Sequence, residues 1–180
     1  MFLTGPEILK RWKSGEIVID PFDPEKLNPN SYDVTLSDVI GVYEFSHGRQ
    51  VIDTANLDNL HLNKYPISRI GYILRPGTLY IASTVEKIGA HKLTPMLHGK
   101  SSLGRLGLSV HVTAGFGDTV FFGQVTLEIS VIYPTIVYAG MRIGQISFQE
   151  TVGEIKPYEG RYQNQSGPTE SRYKLEGKQA

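Results

Sequence analysis

Glu128 is the residue of this sequence whose type and setting best suit acid–base chemistry. It lies in the apolar run VTLEIS, which predicts a β-strand. Alternation along a strand puts Thr126 and Glu128 on one face, and the other face carries Val125, Leu127 and Ile129. If the Glu128 face is the outside of a sheet, the carboxylate is solvated, which is the more common fate of a strand glutamate. If it faces the inside of a barrel, the carboxylate is partly dehydrated and suits general-base work. The alternation is compatible with both.

The segment GKSSLGRLG has the composition of an anion-binding turn. Ser101 and Ser102 offer hydroxyl and amide donors at the start of a short helix predicted over 101–107, where the helix dipole favours an anion. Lys100 and Arg105 add positive charge on either side. The alternative interpretation is an ordinary serine N-cap flanked by exposed basic residues. The segment is not a Walker loop, because GxxxxGK[ST] is missing.

A second candidate carboxylate is Asp118. It follows the glycine-rich bend HVTAGFGD and precedes the strand that carries Glu128. An aspartate in this position binds a sugar hydroxyl or a cation, or it closes the turn with its own hydrogen bonds. The local sequence leaves these roles open.

The composition changes at about Gly153. Residues 153–180 are polar and carry few aliphatic side chains, which predicts a C-terminal tail attached to a domain at 1–152. The tail nevertheless holds side chains able to bind a phosphate or a base: Tyr158, Arg161, Tyr162, Gln165 and Arg172. We expect such a tail to become ordered over a bound ligand.

The composition excludes several classes of protein. The 180 residues contain no cysteine, which excludes disulfide frameworks and thiolate metal sites. The five histidines show no paired ligand spacing, so zinc-activated chemistry is not expected: they are His47, His61, His91, His98 and His111. Lys plus Arg and Asp plus Glu both number 18, so no net charge draws the chain to nucleic acid or a membrane surface. The absence of a signal-peptide pattern and of a long apolar run predicts a cytoplasmic protein.

A mainly β fold is predicted to position these residues. Thr4, Pro6 and Glu7 predict an N-terminal helix that begins with a capping box and ends near Gly15. Short runs rich in β-branched and aromatic residues predict strands at 17–19, 32–36, 39–45, 72–74, 79–82, 124–132, 135–138 and 144–150. The 19 Gly and 10 Pro that interrupt these runs suit a barrel or sandwich with tight turns.

Together these segments resemble the dCTP deaminase family, a branch of the trimeric dUTPase superfamily. The similarity occurs in family order and covers the chain nearly end to end. Its segments are SYD at 31–33, GKSSLGRLGL at 99–108, HVTAGFGD at 111–118, GQVTLEI at 123–129, AGMRIGQISF at 139–148 and RYQNQSGPTESR at 161–172. The resemblance implies a distorted, jelly-roll-like β-barrel with a few short helices, assembled as a homotrimer with active sites between subunits.

The resemblance also implies roles for the candidate residues. Glu128 matches the catalytic carboxylate, which takes a proton from the water that attacks C4 of cytosine. Ser101 and the backbone at Ala114 match the groups that orient this water, and Arg105 matches the group that holds the carboxylate and the water. Asp118 matches the contact to the deoxyribose.

Phosphate binding is implied for residues of both the turn and the tail, some of them supplied by a neighbouring subunit. These residues are Lys100, Ser102, Tyr158, Arg161, Tyr162 and Gln165. Family members bind the triphosphate with Mg²⁺, so the metal is expected to bridge phosphate oxygens rather than occupy a protein cage. The resemblance also suggests dTTP as an inhibitor.

The bend departs from the usual family pattern, which is close to TAG(W/F)IDPGF. Gly117 stands where a large apolar residue is usual, and Thr119-Val120 replaces Pro-Gly, so we expect a looser bend at 117. Gly115-Phe116 resembles the bifunctional branch, which also hydrolyses dUTP to dUMP and diphosphate, rather than the branch with His-Arg. We therefore expect both reactions in one site, supplying dUMP for thymidylate synthesis.

Three alternatives stay open on the sequence. The first is a monofunctional dCTP deaminase that releases dUTP. The second is a plain dUTPase of the same superfamily, which needs an aspartate-centred water and no glutamate in the TLE strand, so Glu128 argues against it. The third is a non-catalytic nucleotide-binding protein of the same fold, which only the altered bend at 117–120 supports.

Overall fold

The structure, a computed structural model, describes residues 1–45, 51–58 and 60–174. His47 and the tail residues 175–180 lie outside these ranges. The helices are α1 (Gly5–Lys13) and α2 (Ser101–Gly104), with a 3₁₀ turn at Pro24–Lys26. The strands are β1 (Ile17–Asp20), β2 (Tyr32–Thr35), β3 (Val39–Phe45), β4 (Leu60–Pro66), β5 (Tyr72–Leu74), β6 (Tyr80–Ala90), β7 (Leu93–Gly99), β8 (Leu108–Ser109), β9 (Phe122–Val131), β10 (Thr135–Val137) and β11 (Arg142–Glu150).

This architecture confirms the prediction of a mainly β fold with few short helices. Strands β3 and β5 have the predicted bounds, whereas β6 continues to Ala90, well past the predicted end at 82. Strands β4 and β7 were not predicted. Strand β4, LHLNKYP, is polar and only partly buried, and β7 contains Pro95, which disfavours a strand assignment. Because β7 is the outer strand of its sheet, a proline is tolerated there.

Two sheets enclose the core. The larger has the order β4-β3-β6-β9-β8, with β1 paired to β6, and the smaller has the order β2-β11-β7. Strands β5 and β10 form a separate pair. Ile40, Ile88 and Leu127 from the larger sheet are fully buried in the same apolar cluster as Tyr32 and Phe148 from the smaller one. The two sheets are therefore held together mainly by apolar burial.

Helix α1 differs from its prediction at the beginning and agrees at the end. Thr4 is the N-cap residue but its side chain makes no capping hydrogen bond, so the capping box is wrong. Glu7 instead accepts a hydrogen bond from Arg11 Nε at 2.9 Å, one turn later. Gly15, with φ of 78°, lies two residues after the helix and takes the left-handed conformation that commonly ends helices.

Helix α2 is shorter than predicted and is capped differently. It spans four residues, and its N-cap position is occupied by Lys100 rather than by a serine, without a side-chain capping bond. The chain turns at Gly107, whose φ is 80° and whose missing Cβ would lie 2.8 Å from Ile132 Cβ. None of the helices in the described ranges is long and apolar enough to cross a bilayer.

Candidate active site

Glu128 lies on the wall of a cavity of about 700 Å³. Its neighbours on β9, Leu127 and Ile129, are fully buried in the core, so Glu128 points to the opposite face of the sheet. The strand register places it beside Ile81 of β6, which in turn lies beside Gly41 of β3. Glu128 is therefore a cavity residue and not a solvated side chain on an outer sheet face.

Three parts of the chain bound this cavity: the sheet face, the bend that precedes β9, and the C-terminal segment. Six of the residues predicted for the site line it, namely Ala114, Asp118, Glu128, Tyr158, Tyr162 and Gln165. The two predicted carboxylates, Asp118 and Glu128, thus share one cavity, and much of the remaining wall is apolar. A carboxylate beside an apolar wall has fewer water partners, which favours proton transfer to or from a bound ligand.

The backbone of Glu128 is fixed from both sides. On one side Glu128 pairs with Ile81 in the antiparallel register of β6 and β9. On the other side its N–H donates to Val110 O at 2.8 Å. Strand β8 continues this contact, because Leu108 pairs with Val131 of β9. The chain that leaves α2 therefore lies along the edge of the strand that carries the candidate base.

The bend at 114–118 lies against β7. Leu97 N–H donates to Gly115 O at 2.7 Å, and Gly117 N–H donates to Pro95 O at 2.9 Å. A Cβ at position 117 would lie 2.9 Å from Pro95, and one at position 115 would lie 2.7 Å from the His111 ring. The bend is thus closely packed at Gly117, and the looseness predicted there is not found.

Val120 adopts a backbone conformation that a branched residue rarely takes. Its φ is 68°, in the left-handed region, at the position where the family pattern has glycine. Its N–H donates to Ala90 O at 2.9 Å, and its carbonyl accepts from Gln163 Nε2 at 2.8 Å. Contacts from β6 and the C-terminal segment therefore hold the strained residue two positions after Asp118.

The C-terminal segment is docked along the first residues of β9. Gln165 O accepts from Gln124 N–H at 3.0 Å, and Gln165 Nε2 donates to Gln124 O at 2.8 Å. Asn164 N–H donates to Phe122 O at 2.8 Å, and Gln163 Oε1 accepts from the Phe122 N–H at the same distance. These bonds place the predicted tail residue Gln165 at the rim of the cavity.

Arg161, predicted to bind phosphate, is exposed and does not line the cavity. Its guanidinium donates to Arg172 O at 2.8 Å, and the Arg172 guanidinium donates back to Arg161 O. Arg172 also lies over the Tyr162 ring, 5.8 Å from its centroid. Two cationic side chains thus meet on the outside of the segment.

The turn residues predicted for the site do not join Glu128 within the described chain. Lys100, Ser101, Ser102 and Arg105 are absent from the cavity lining, although the chain that follows them reaches β9. Ser101, Ser102 and Arg105 are exposed. With Arg161 set apart, the structure therefore divides the predicted residues into a cavity group and an exposed α2 group.

Lys100 is the exception within the α2 group, because a carboxylate holds it. Its Nζ lies 2.6 Å from Oδ1 of Asp33, whose side chain is only 2% exposed. The same carboxylate accepts from Asn28 Nδ2 at 2.9 Å and lies 3.5 Å from Arg142. Asp33, the last residue of the SYD segment, thus helps to fix the position of the turn before α2.

Two histidines lie behind the bend. His98 Nε2 lies 2.7 Å from Ser147 Oγ, and His111 Nε2 lies 3.0 Å from Leu97 O. His111 Nδ1 is buried and has no hydrogen-bond partner among the described residues. Burial lowers the pKa of His98, and the neighbouring His111 lowers it further.

Tyr43 is a cavity residue that the sequence analysis missed. It lies on β3, on the same sheet face as Gly41, and its hydroxyl accepts a hydrogen bond from Ser171 N–H at 2.9 Å. Burial raises the pKa of this phenol above its ordinary value. The alternation of VIGVYEF could have indicated its face, but only the tertiary structure shows that this face meets Glu128.

Oxygen donors dominate the polar part of the cavity, where Asp118, Glu128 and Glu170 supply carboxylates. Within residues 1–45, 51–58 and 60–174, no group of three or more His, Cys, Asp or Glu side chains is arranged to hold a metal ion. Mg²⁺ commonly binds through one or two carboxylates together with substrate phosphates, so this donor set is compatible with a phosphate-bridged Mg²⁺.

Comparison with solved structures supports the fold. A crystal structure of 2′-deoxycytidine 5′-triphosphate deaminase from Agrobacterium tumefaciens matches with a TM-score of 0.64 and 23% sequence identity. The match covers 83% of this chain and 48% of that chain, so the present chain spans about half its length. This similarity concerns the fold alone.

Sequence comparison identifies the family. The family model described as dCTP deaminase-like matches residues 2–151. A protein of Leptospira biflexa named dCTP deaminase, dUMP-forming, is 46% identical over 93% of this chain and 92% of its own length. A protein of Clostridium beijerinckii with the same name is 44% identical over 93% of each chain. These matches confirm the resemblance seen in the sequence, and the chain belongs to the dCTP deaminase-like family.

Proposed function

We propose that this protein hydrolyses dCTP to dUTP and ammonia, and then hydrolyses dUTP to dUMP and diphosphate in the same cavity. The observation that carries the proposal is the position of Glu128, inside the cavity and close to an apolar wall. The names of the curated relatives support both the substrate and the formation of dUMP.

In the first reaction Glu128 takes a proton from water as the water oxygen bonds to C4 of the cytosine. The carboxyl group then passes this proton to ring N3. It takes the remaining proton from the new C4 hydroxyl and passes it to the amino group as the C4–N bond breaks and ammonia leaves. One water is consumed for each ammonia released. The partly buried position of Glu128 suits these proton transfers, since few solvent molecules compete for hydrogen bonds to its carboxyl group.

In the second reaction a water attacks the α-phosphorus, and the bond to the diphosphate breaks. Asp118 is the residue proposed to assist, because it is the other predicted carboxylate on the cavity wall. The C-terminal tail at 153–180 is proposed to be ordered over the nucleotide, with Tyr158, Tyr162 and Gln165 at its phosphates. Mg²⁺ bound through the triphosphate oxygens would neutralise part of their charge.

We further propose that the exposed α2 group completes the cavity of a neighbouring copy in a homotrimer. Ser101, Ser102 and Arg105 face solvent in the single chain, where a water-orienting serine and an arginine have no substrate to act on. Arg161 is proposed to add a phosphate contact. A cytoplasmic location, where deoxynucleotides occur, and inhibition by dTTP belong to the same proposal.

The direct test is incubation of the purified full chain with dCTP, with ammonia, dUTP, dUMP and diphosphate quantified. Ammonia with dUMP and diphosphate supports the two-step reaction, whereas accumulating dUTP indicates the monofunctional alternative. An active preparation is then compared with Glu128→Gln, which is expected to release ammonia at least ~100-fold more slowly. Glu154→Gln, an exposed substitution outside the cavity, is the matched control.

Several outcomes would contradict the proposal. If the wild-type protein binds dCTP without releasing ammonia, it is a nucleotide-binding protein and not an enzyme. If Glu128→Gln releases ammonia as fast as Glu154→Gln, Glu128 is not the base. Asp118→Asn should abolish diphosphate release and spare ammonia, and equal loss of both would remove the separate role of Asp118.

The shared cavity has its own test. Glu128→Gln and Arg105→Ala, each expected to be inactive, are co-expressed so that mixed assemblies form. If Glu128 and Arg105 of different copies meet, about a quarter of the sites in random mixtures contain two intact residues and activity returns. If they act within one chain, each site keeps one defect and no activity returns.

A further inference from the structure

The C-terminal segment Tyr158–Tyr173, here called the strap, borders the mouth of the cavity. Its first half is held at several points, because Gln163 bonds the backbone at Val120 and Phe122, and Gln165 bonds Gln124. This half therefore lies along the beginning of β9 whether or not the second half is in place.

One hydrogen bond in the described part of the chain joins the second half of the strap to the body of the protein. Among the described residues, the hydrogen bond from Ser171 N–H to the Tyr43 hydroxyl, 2.9 Å long, is the one that joins residues 168–174 to the body of the protein. The other hydrogen bonds of this half stay within the strap, such as those from Arg172 to Tyr162 and from Thr169 to Gly167. Loss of the Tyr43 bond therefore removes the hydrogen bond that holds this half to the body of the protein, and leaves the packing of the buried Pro168.

Tyr43 reaches the strap from across the cavity. In the register of the larger sheet, Gly41 of β3 lies beside Ile81 and Ile81 lies beside Glu128. Tyr43 is two residues after Gly41 and shares its face, so the strap spans from β9 to β3 over the side of the sheet that carries Glu128. Thr169, Glu170 and Tyr43 all line the cavity there.

We propose that Tyr43 is a positioning residue whose hydroxyl fastens the strap over the cavity and so strengthens nucleotide binding. The inference rests on the proposed function for its kinetic consequence, whereas the fastening itself can be tested without any reaction. Tyr43 acts through the strap, and the chemical step stays with Glu128.

The test compares two tyrosine substitutions. Tyr43→Phe removes the hydroxyl and keeps the ring, and it should raise KM for dCTP about 2- to 10-fold, the range of one net hydrogen bond, with kcat within about twofold of wild type. Tyr65→Phe is the matched control, because its hydroxyl bonds Glu44 at 2.8 Å on the exposed strand β4, outside the cavity. It should leave both constants unchanged.

Limited trypsin digestion of the ligand-free protein gives a readout that does not need activity. In Tyr43→Phe the bond after Arg172 should be cut several-fold faster, while cleavage after Arg161, close to the Gln163 anchor, changes little. Tyr65→Phe should match the wild type at both bonds. The rate of cleavage after Arg172 thus reports dissociation of the strap from the sheet, even if the protein does not catalyse the proposed reaction.

A substitution on the other side of the bond completes the test. Ser171→Pro removes the N–H donor and should reproduce both effects of Tyr43→Phe, and the double variant should be no worse than either single one. Equal cleavage and KM in Tyr43→Phe and Tyr65→Phe would overturn the inference, as would fully additive effects in the double variant. Failure of the proposed function is recognised separately, since wild-type protein would then release no ammonia.

Discussion

Lys100 and Asp33 form an ion pair of 2.6 Å in which the carboxylate is almost completely buried and the ammonium is partly exposed. The pair joins the turn before α2 to β2, and Arg142 of β11 lies on the second carboxylate oxygen. Lysine has three N–H donors, so the bond to Asp33 leaves donors for a phosphate. The ion pair therefore fixes where Lys100 lies without consuming its capacity to bind an anion.

Asp33→Asn is expected to destabilise the fold by about 2–3 kcal/mol, because an amide replaces the charged acceptor of several donors in a buried position. Asp38→Asn is the control, because Asp38 is exposed and lies between β2 and β3. It should alter the free energy of unfolding by less than about 0.5 kcal/mol. Urea denaturation of the two variants provides the comparison. Equal stabilities would show that the buried ion pair contributes nothing to the fold.

Val120→Gly is expected to raise the free energy of unfolding by up to about 1 kcal/mol, because glycine takes the left-handed conformation without the strain of a branched side chain. Val152→Gly is the reference, since Val152 is 97% exposed and has no positive φ. There the substitution should cost about 0.5–1 kcal/mol through added freedom of the unfolded chain. If thermal unfolding shows the same loss for both variants, Val120 is not strained.

Local patterns predicted the parts of the fold that depend on neighbours in the sequence. The alternation of VTLEIS placed Leu127 and Ile129 together, and their burial follows from it. The capping box failed because Glu7 has a better partner in Arg11, which also contacts Glu150 at 3.0 Å, far away in the sequence. Strand β7 was missed because its proline is tolerated only through its place at the sheet edge.

In the candidate site, too, local patterns predicted some features, and contacts between distant parts of the chain decided the others. Six of its predicted residues meet because the bend, β9 and the C-terminal segment are brought together, and the motifs alone indicated that they belong to one site. Separation of the α2 group from Glu128 could not be inferred, since it depends on the path of the chain through Gly107 and β8. Tyr43 was missed for a related reason, because its strand is far from the other motifs in the sequence.

His98→Gln is expected to weaken the dependence of stability on pH as the pH falls below 6.5, the ordinary pKa of histidine. The pKa of His98 is lowered in the folded state, chiefly by burial, from an ordinary value of 6.5. The unfolded chain therefore binds a proton more readily, and the stability contributed by neutral His98 is present above pH 6.5 and is lost as the pH falls through the folded value.

Urea denaturation at several pH values checks this expectation. His61→Gln, an exposed change on β4, should retain the wild-type slope of unfolding free energy against pH. Gln at position 98 can still bond Ser147 Oγ, so the readout is the slope and not the absolute stability. A wild-type slope in His98→Gln would show that the burial of His98 does not influence its protonation.

Gly123→Ala is expected to loosen the first half of the strap. A Cβ at position 123 would lie 3.0 Å from Gln165 O and 3.1 Å from Gln165 N, closer than ordinary contact, so the strap must move outward by a few tenths of an ångström. The paired hydrogen bonds between Gln124 and Gln165 then lengthen. Overpacking of this kind typically costs about 1–3 kcal/mol, here partly relieved because the strap is able to shift.

The measurement that follows is trypsin cleavage after Arg161, which should become faster in Gly123→Ala than in the wild type. Gly104→Ala is the matched control, because nothing lies within 4 Å of its added Cβ and its φ is not positive. Gly123→Ala acts on the Gln165 anchor in the first half of the strap, whereas Tyr43→Phe acts on the Ser171 anchor in the second half. The two substitutions should therefore speed cleavage at opposite ends of the strap. Faster cleavage after both Arg161 and Arg172 would contradict this division and would mean that the strap opens as one unit.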